Sequence, residues 1–265
     1  PPAEIVDPTT GEIKEIALEA PHGQGGGSGV LLADGRVFMI VRDINTTSSR
    51  AWIVDPAGMT SRELRLDQRP INAPVFGVEP SLALLPDGRV LVAGGLNDVY
   101  GDGDANIRAT ALLFDPATET FAPTGSMSRP RWRHAMTTLR DGRVLVAGGE
   151  GWSVPEDRSP PLLADAEIDD PATGTFTPIG SMPRVRGATF AVPLPDGRVV
   201  VLPRWGDFSG YRNMFEPPWL DDPESRAPVD IFDPATGSFS AIGTTPAPAT
   251  AATALRTGDL LLVGH

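Results

Sequence analysis

The sequence contains no cysteine, one lysine and only three histidines among its 265 residues. Without cysteine the chain has no disulfide, no thiolate metal site and no cysteine nucleophile. The sequence therefore does not indicate whether the protein resides in an oxidising or a reducing compartment. His22, His134 and His265 lie in different parts of the chain. Because a zinc or copper site needs several such ligands close together, this spacing argues against one built on histidine.

Two further features are missing, namely an apolar run of membrane-spanning length and a signal peptide. The formal net charge of −12 argues against a nucleic-acid partner, because binding phosphates requires a basic surface. The sequence alone does not identify the cellular compartment. The chain starts at Pro1 rather than at methionine, so a secretion signal that has been removed would favour a secreted, periplasmic or cell-surface location.

The sequence has many turn-forming residues, 29 glycines and 28 prolines, spread along its length. They belong to two alternating repeated phrases. The first phrase is found five times, as LADGRVFMIV (32–41), LPDGRVLVAGG (85–95), LRDGRVLVAGG (139–149), LPDGRVVVLP (194–203) and LRTGDLLLVGH (255–265). The second is also found five times, as IVDPTTGEI from Ile5, IVDPAGMTS from Ile53, LFDPATETF from Leu113, IDDPATGTF from Ile168 and IFDPATGSF from Ile231.

Each phrase is typical of a β-hairpin. Asp-Gly between two apolar runs is a strong signal for a tight turn, and the continuous apolar run after it predicts a strand covered on both faces. In Asp-Pro-x-Thr-Gly the Asp side chain bonds the turn backbone and Pro presets φ. Each unit is therefore predicted to be a four-stranded meander, and units of about 50 residues predict a β-propeller.

Five copies predict an all-β, five-bladed propeller of four-stranded antiparallel blades that occupies residues 1–265 as a single domain. The predicted blades cover roughly 22–70, 71–128, 129–183, 184–246, and 247–265 together with 1–21. In the last of these, the N-terminal segment supplies strands 3 and 4 and the C-terminal segment supplies strands 1 and 2. This arrangement would close the ring and remove two open sheet edges.

The repeats resemble those of the kelch family of propellers. The resemblance rests on the Gly-Gly pairs Gly94-Gly95 and Gly148-Gly149 that end strand 2, on the Arg-x-x-His stretch from Arg131 to His134, and on Asp-Pro-x-Thr-Gly-x-Phe. It covers nearly the whole chain, although the first and fourth units replace the glycine pair with bulky residues. The resemblance implies the fold and leaves the function open, because kelch functions vary. A copper-radical oxidase of the galactose oxidase type is excluded, since its Cys-Tyr crosslink needs cysteine. No series of Glu, Asp and His matches that of the iron-binding specifier proteins.

Strand polarity places all irregular loops on one side of the propeller, which we call the loop-rich face. The connections from strand 2 to 3 and from strand 4 to the next strand 1 lie there, and they include the segments 42–51, 96–109, 150–165 and 204–230. Long loops on a rigid scaffold commonly carry binding or catalysis. The sequence therefore predicts the site on this face, around the mouth of the central channel.

Two groups of side chains are candidates for ligand binding on that face. The first leads into strand 1 of two blades and would suit a carboxylate, sulfate or acidic peptide; it comprises Arg131, Trp132, Arg133, His134, Arg184 and Arg186. The second supplies aromatic rings that stack on a sugar or anchor a peptide; it comprises Trp152, Trp205, Tyr211 and Trp219. Both groups have a structural alternative. The Arg and His of kelch repeats often brace adjacent blades, and long loops need apolar side chains that pack and hold the loop in place.

One loop offers oxygen ligands at alternate positions, which suits a structural Ca²⁺ ion. These residues are Asp98, Asp102, Asp104 and Asn106. The loop lacks the Gly and the distal Glu of an EF-hand, and a solvated acidic loop is the alternative. No other cofactor is expected.

The leading hypothesis is a binding module that holds a small acidic or carbohydrate ligand, or a protein segment, on the loop-rich face. The first alternative is a cofactor-free carbohydrate-active enzyme, a hydrolase, lyase or epimerase, that uses loop carboxylates as acid and base. Its candidate carboxylates are Asp102, Asp104, Glu150, Glu156, Asp157, Asp207, Glu216 and Asp221, and no spacing singles out a catalytic pair. The second alternative is a protein-interaction scaffold.

Overall fold

The computed structural model describes residues 3–6, 9–16, 24–43, 49–64, 79–97, 106–151, 161–187, 189–203, 227–245 and 249–264. These residues form 22 β-strands and no helix. Within these ranges, nothing forms a helix long and apolar enough to cross a membrane. The predicted all-β class is confirmed.

Sixteen of the strands form four antiparallel sheets of four strands each. Blade 1 contains β3 (Gln24–Leu31), β4 (Val37–Asp43), β5 (Ser49–Asp55) and β6 (Thr60–Glu63). Blade 2 contains β7 (Ser81–Leu84), β8 (Val90–Ala93), β11 (Thr110–Asp115) and β12 (Thr120–Ser126). Blade 3 contains β13 (Ala135–Thr138), β14 (Val144–Ala147), β15 (Leu163–Asp170) and β16 (Thr175–Arg186). Blade 4 contains β17 (Thr189–Pro193), β18 (Val199–Pro203), β19 (Ala227–Asp233) and β20 (Ser238–Thr245).

The remaining strands form three two-stranded sheets. They are β1 (Ala3–Val6) with β2 (Ile13–Ile16), β9 (Leu96–Asn97) with β10 (Asn106–Ile107), and β21 (Ala249–Ala254) with β22 (Leu260–Gly264). The β9–β10 pair extends the connection between strands 2 and 3 of blade 2, so it lies on the loop-rich face.

The two repeated phrases form the two turns that their sequences predict. In the Asp-Gly turn of blade 2, the Asp87 carboxylate accepts hydrogen bonds from the backbone N–H of Arg89 at 3.0 Å and from its Nε at 2.8 Å. The Arg89 side chain holds the pKa of Asp87 below its usual value. In the turn between strands 3 and 4, Asp115 Oδ1 accepts from the backbone N–H of Ala117 at 2.8 Å. Each turn is therefore fixed by its own Asp side chain.

The blades are arranged as a propeller, with the innermost strands β3, β7, β13, β17 and β21 packed side by side in chain order. Apolar side chains fill the space between successive blades. Between blades 1 and 2, the rings of Phe38 and Phe114 stack with centroids 4.3 Å apart, and Phe121 lies 4.8 Å from Phe114. The strand-2 runs β8, β14 and β18 lie in the middle of their sheets and are buried on both faces, as their continuous apolar sequence predicts. In blade 1 the prediction holds only for one face, because β4 alternates between the buried Phe38 and Ile40 and half-buried neighbours.

The fifth blade differs from the prediction. The structure describes four complete blades, and the strands expected to build the fifth form the separate hairpins β21–β22 and β1–β2. Each hairpin forms locally because its own turn joins its two strands. Pairing β22 with β1 would bring together the two ends of the described chain without a connecting turn, so no local interaction favours it.

Blade 3 carries a buried acid where its neighbours carry an aromatic ring. Asp169 is 1% exposed and directly precedes the turn Asp, the position held by Phe114 in blade 2 and Phe232 in blade 4. In the described part of the chain, its Oδ1 has no hydrogen-bond partner. Burial, with a smaller contribution from the charge of Asp170, raises the pKa of Asp169 from 3.8 to about 6.

We expect Asp169→Asn to stabilise the protein at neutral and alkaline pH. Because the folded pKa lies above the unfolded value, the contribution of Asp169 to stability is fully present below pH 3.8 and is lost as the pH rises through about 6. The variant should therefore gain on the order of 2 kcal/mol in free energy of unfolding at about pH 8. Urea denaturation of both proteins across this range measures the difference. A constant difference at all pH values would contradict the assignment.

Candidate functional site

Backbone hydrogen bonds between blades 2, 3 and 4 assemble one site at the entries to the innermost strands. Trp132 and Glu150 exchange backbone hydrogen bonds of 2.9 and 2.8 Å, which tie the segment before β13 to the end of strand 2 in the same blade. The backbone N–H of Thr189, at the start of β17, donates to the carbonyl of Arg133 at 3.2 Å. Because these segments belong to strand 4 to 1 and strand 2 to 3 connections, the site lies on the loop-rich face.

Arg131 braces blade 3 and is fully buried. Its Nε and Nη2 donate to Glu167 Oε1 at 3.1 and 2.9 Å, and its Nη1 donates to the carbonyls of Gly148 and Asp165, each at 3.0 Å. Glu167 Oε2 accepts from the backbone N–H of Ser128 at 2.7 Å. The guanidinium is thus fully occupied within the protein. These contacts leave no donor for a ligand, and they brace strands within blade 3 rather than two adjacent blades.

His134 is also buried, at 4% exposure, and neither ring nitrogen has a hydrogen-bond partner within the described ranges. Burial, reinforced by the positive charge of Arg131, lowers the pKa of His134 to about 3. The imidazole is therefore neutral at physiological pH. It packs against Gly94, where its Cε1 would lie 2.7 Å from an added Cβ.

Arg133 lies between two carboxylates. Its Nε is 3.3 Å from Glu79 Oε2, its Nη1 is 3.7 Å from Glu150 Oε1, and its Cζ lies 4.0 Å from the centre of the Trp132 ring. Arg133 and Glu79 both have positive φ, 54° and 52°. Backbone strain of this kind in non-glycine residues is concentrated at functional sites, where the surrounding structure holds it. We call Glu79, Arg133 and Glu150 the Arg133 cluster.

Glu150 is the least solvated member of the Arg133 cluster, at 2% exposure. Among the residues that the structure describes, its Oε2 has no hydrogen-bond partner. Burial raises the pKa of Glu150 to about 7; Arg133 opposes this shift, and the charge of Glu79 adds to it. On the blade 4 side, a Cβ added to Gly187 would lie 3.3 Å from Glu150 Oε1, so glycine leaves room beside the carboxyl group.

Further polar atoms at the same place lack partners. The Nε1 of Trp132 and the Oγ1 of Thr189 are buried and make no hydrogen bond with any described residue. Buried polar groups are almost always satisfied by protein or by water, so these atoms offer hydrogen-bonding capacity that water or a ligand would fill. The Arg133 cluster combines a guanidinium, the Glu79 carboxylate and the Glu150 carboxyl group, whose pKa is about 7. It can therefore both donate and accept hydrogen bonds.

The structure brings together only some of the predicted site residues. Trp132 and Arg133 lie at the Arg133 cluster, Arg131 and His134 are buried beside it, and Arg184 is exposed on β16. The others lie outside the described residues, either wholly or in their side chains; they are Trp152, Trp205, Tyr211, Trp219 and Arg186. Of the eight candidate catalytic carboxylates, only Glu150 is described.

Glu79 is the residue that the sequence reasoning missed. It precedes Gly88 of its blade by nine residues, as Arg133 precedes Gly142 of the next blade. Aligning the units on these glycines places Glu79 and Arg133 at equivalent positions at the entries to neighbouring innermost strands. That alignment could have identified Glu79 as a neighbour of Arg133.

The predicted calcium site lies outside the described part of the chain. Asp98, Asp102 and Asp104 are not described, and of Asn106 only the backbone is. Within the described part, no group of three or more His, Asp or Glu residues is placed to hold a metal ion.

Comparison with models of known protein families finds no match to this chain. A search of curated proteins likewise finds no significant match.

Proposed function

We propose that the chain is a kelch-like propeller that serves as a binding module, with a small acidic or carbohydrate ligand held at the Arg133 cluster. The observation that carries the proposal is Glu150, a buried carboxyl group beside a guanidinium, with one oxygen that no described residue bonds. Leaving such an oxygen without a partner costs about 1–3 kcal/mol. A ligand hydroxyl or carboxylate group that completes its hydrogen bonds would recover that free energy.

The kelch resemblance is supported by the role of the glycine pairs. At Gly94, which has a φ of 70°, an added Cβ would lie 2.4 Å from the Arg131 carbonyl oxygen. The backbone N–H of Gly95 donates to that same carbonyl at 3.0 Å. The pair thus lets strand 2 of blade 2 approach the segment that carries the Arg133 cluster. The repeated glycines and the Arg-x-x-His stretch act together in one contact.

A specific observation also favours the enzyme alternative. A carboxyl group with a pKa of about 7 suits general acid or base catalysis at neutral pH, and Glu150 has such a pKa. Glu79 supplies a second carboxylate on the other side of Arg133. A carbohydrate-active enzyme would use this pair as its acid and base.

We expect Arg133→Ala to weaken ligand binding at least tenfold, because it removes the guanidinium between the two carboxylates, a change of about 1.4 kcal/mol or more. Thermal-shift assays and calorimetry with galactose, galacturonate and their oligomers, followed by turnover assays with any binder, measure the effect. Arg129→Ala is the matched control, since the Arg129 side chain is 52% exposed and pairs with Asp165.

If the wild type and Arg133→Ala bind the ligand with equal affinity, the ligand does not bind at the Arg133 cluster. If no saccharide or small acid shifts the melting temperature, the small-molecule proposal fails and the protein-interaction scaffold takes its place.

We further propose that β21–β22 and β1–β2 join as the fifth blade. The hairpin β21–β22 already packs on blade 4 through Ala252, Leu260 and Leu262. Its opposite face leaves Leu261 and Val263 more than half exposed. Leu31 on β3 of blade 1 is 62% exposed, and burying these apolar residues against each other would favour closure.

Closure predicts slow amide exchange along the outer edge of β22, because that edge would be hydrogen-bonded to β1. Hydrogen–deuterium exchange of the native protein measures this protection. The outer strand β20 serves as the internal control, because no described strand pairs with its outer edge. If β22 exchanges as fast as the open edge of β20, the fifth blade is not closed.

A further inference from the structure

We propose that the four Asp-Gly-Arg turns between strands 1 and 2 are latent sites of isoaspartate formation, and that the arginine of each turn keeps its aspartate unreacted. This inference concerns a covalent modification on the side of the propeller opposite the loop-rich face, so it goes beyond the proposed function and does not depend on it. The four Asp-Gly bonds are Asp34-Gly35, Asp87-Gly88, Asp141-Gly142 and Asp196-Gly197.

Isoaspartate forms most readily at Asp-Gly bonds, because glycine has no side chain to hinder the reaction. The backbone nitrogen of the glycine attacks Cγ of the aspartate, and the new N–Cγ bond closes a five-membered succinimide ring. The amide hydrogen and the side-chain hydroxyl group leave together as water. A water molecule then opens the ring at the α carbonyl, so the mass is unchanged while the backbone runs through Cβ and Cγ and gains one atom.

Water reaches all four aspartates. Between 47% and 49% of each aspartate side chain is exposed. The glycine of each turn has a positive φ of 87° to 94°. Solvent therefore does not limit the reaction at these positions, and the contacts within each turn decide whether it takes place.

The arginine of each turn holds the carboxylate of its aspartate. In blade 2, Asp87 Oδ1 accepts from the backbone N–H of Arg89 at 3.0 Å, and Asp87 Oδ2 accepts from its Nε at 2.8 Å with Nη2 at 2.7 Å. The other three turns repeat these contacts at 2.6 to 3.1 Å. The side-chain hydrogen bond from arginine is the largest cause that lowers the pKa of all four aspartates. Only the protonated carboxyl group readily loses water, so the arginine reduces the reactive fraction.

The backbone of the turn holds the attacking nitrogen. The N–H of Gly88 donates to the carbonyl of Leu85 at 3.0 Å, and the N–H of Leu85 donates to the carbonyl of Arg89 at 2.8 Å. The other three turns have the same glycine-to-leucine bond at 3.0 to 3.1 Å. An extra backbone atom between these two hydrogen bonds would disrupt the turn, so the modification would damage the hairpin that carries it.

The fifth copy of the first phrase separates the two kinds of contact. Its turn has the same backbone bond, from Gly258 to Leu255 at 3.0 Å, but its sequence is Thr257-Gly258-Asp259. This turn contains neither an Asp-Gly bond nor the arginine two residues further on. The backbone bond is therefore common to all five turns, whereas the arginine is present in the four that contain a reactive bond.

Ageing of the full chain at physiological temperature and mildly acidic pH, followed by peptide mapping that resolves isoaspartate at each turn, tests the inference. Arg89→Gln removes the charge and the paired N–H groups, so we expect isoaspartate at Asp87 to form several-fold faster than in the wild type. The three unchanged turns of the same molecules should keep the wild-type rate. Arg143→Gln should transfer the effect to Asp141. Arg129→Gln is the matched control, because Arg129 is an exposed arginine outside these turns, and it should change no turn.

Three results would overturn the inference. In the first, Asp87 of Arg89→Gln reacts no faster than Asp87 of the wild type, so the arginine does not protect it. In the second, the wild-type turns react as fast in the folded protein as in urea, so the turns are not protected. In the third, all four turns react faster together in a variant that circular dichroism and thermal melting show to be folded, so the protection is not local to each arginine.

Discussion

Replacing Arg131 with Met is expected to lower the free energy of unfolding by about 3–5 kcal/mol. The side chain is fully buried, and its guanidinium pairs with Glu167, which is itself 0% exposed. Met fills much of the same volume without charge, so the variant leaves the Glu167 carboxylate buried and unpaired. The carbonyl of Gly148 also loses the donor that Arg131 supplies, and the carbonyl of Asp165 keeps only the backbone N–H of Gly148 at 3.2 Å. Urea denaturation of the two proteins measures the difference.

Two further variants separate this explanation from simple loss of packing. Arg129→Met removes an exposed arginine that pairs with the same Asp165, and we expect a change within about 0.5 kcal/mol. Adding Glu167→Leu to Arg131→Met removes the unpaired charge, and leucine already stands at the equivalent position of blade 2, Leu112. The double variant should therefore be more stable than Arg131→Met alone. If it is less stable, the buried charge is not the cause.

Gly94→Ala should destabilise the protein by about 3 kcal/mol or more, because strain and a steric clash add. The residue has a φ of 70°, and the new Cβ would lie 2.4 Å from the Arg131 carbonyl oxygen and 2.7 Å from His134 Cε1. The carbonyl belongs to the backbone, so it cannot turn aside as a flexible side chain does. Blade 2 would be forced away from the segment that holds Arg133.

Gly88→Ala is the control for Gly94→Ala. Its φ of 87° imposes the same left-handed backbone, but no atom of the described residues lies within 4 Å of the added Cβ. We expect a cost of about 1–2 kcal/mol from the backbone alone. Thermal and urea denaturation of both variants measure the contribution of the clash. Equal losses in the two variants would show that the close approach at Gly94 contributes nothing.

The repeated phrases made most of the fold predictable. Asp-Gly and Asp-Pro-x-Thr-Gly specify hairpins through their own side chains, as the hydrogen bonds of Asp87 and Asp115 show, and such local interactions can be read from sequence. Closure of the ring depends on contacts between strands far apart in the chain. The prediction of a fifth four-stranded blade therefore went beyond what local turn chemistry specifies.

The sequence predicted the location of the candidate site better than the residues that form it. Loop lengths and strand polarity predict the loop-rich face, and Arg133 lies there. The sequence could not distinguish the roles of Arg131 and Arg133, because both are arginines and they lie two residues apart. Only the packing shows that Arg131 is the one that pairs with Glu167. The pKa of Glu150 results from burial by neighbouring segments, which no local pattern of the sequence encodes.

The titration of Glu150 itself tests the central claim most directly. In protein labelled with ¹³C-glutamate, the carboxyl resonance that Glu150→Gln removes can be followed by NMR as a function of pH, with and without galacturonate. We predict a midpoint of about 7 in the free protein and a higher midpoint with the acidic sugar. A midpoint near the ordinary value of 4.5 that galacturonate does not move would contradict a ligand site at the Arg133 cluster.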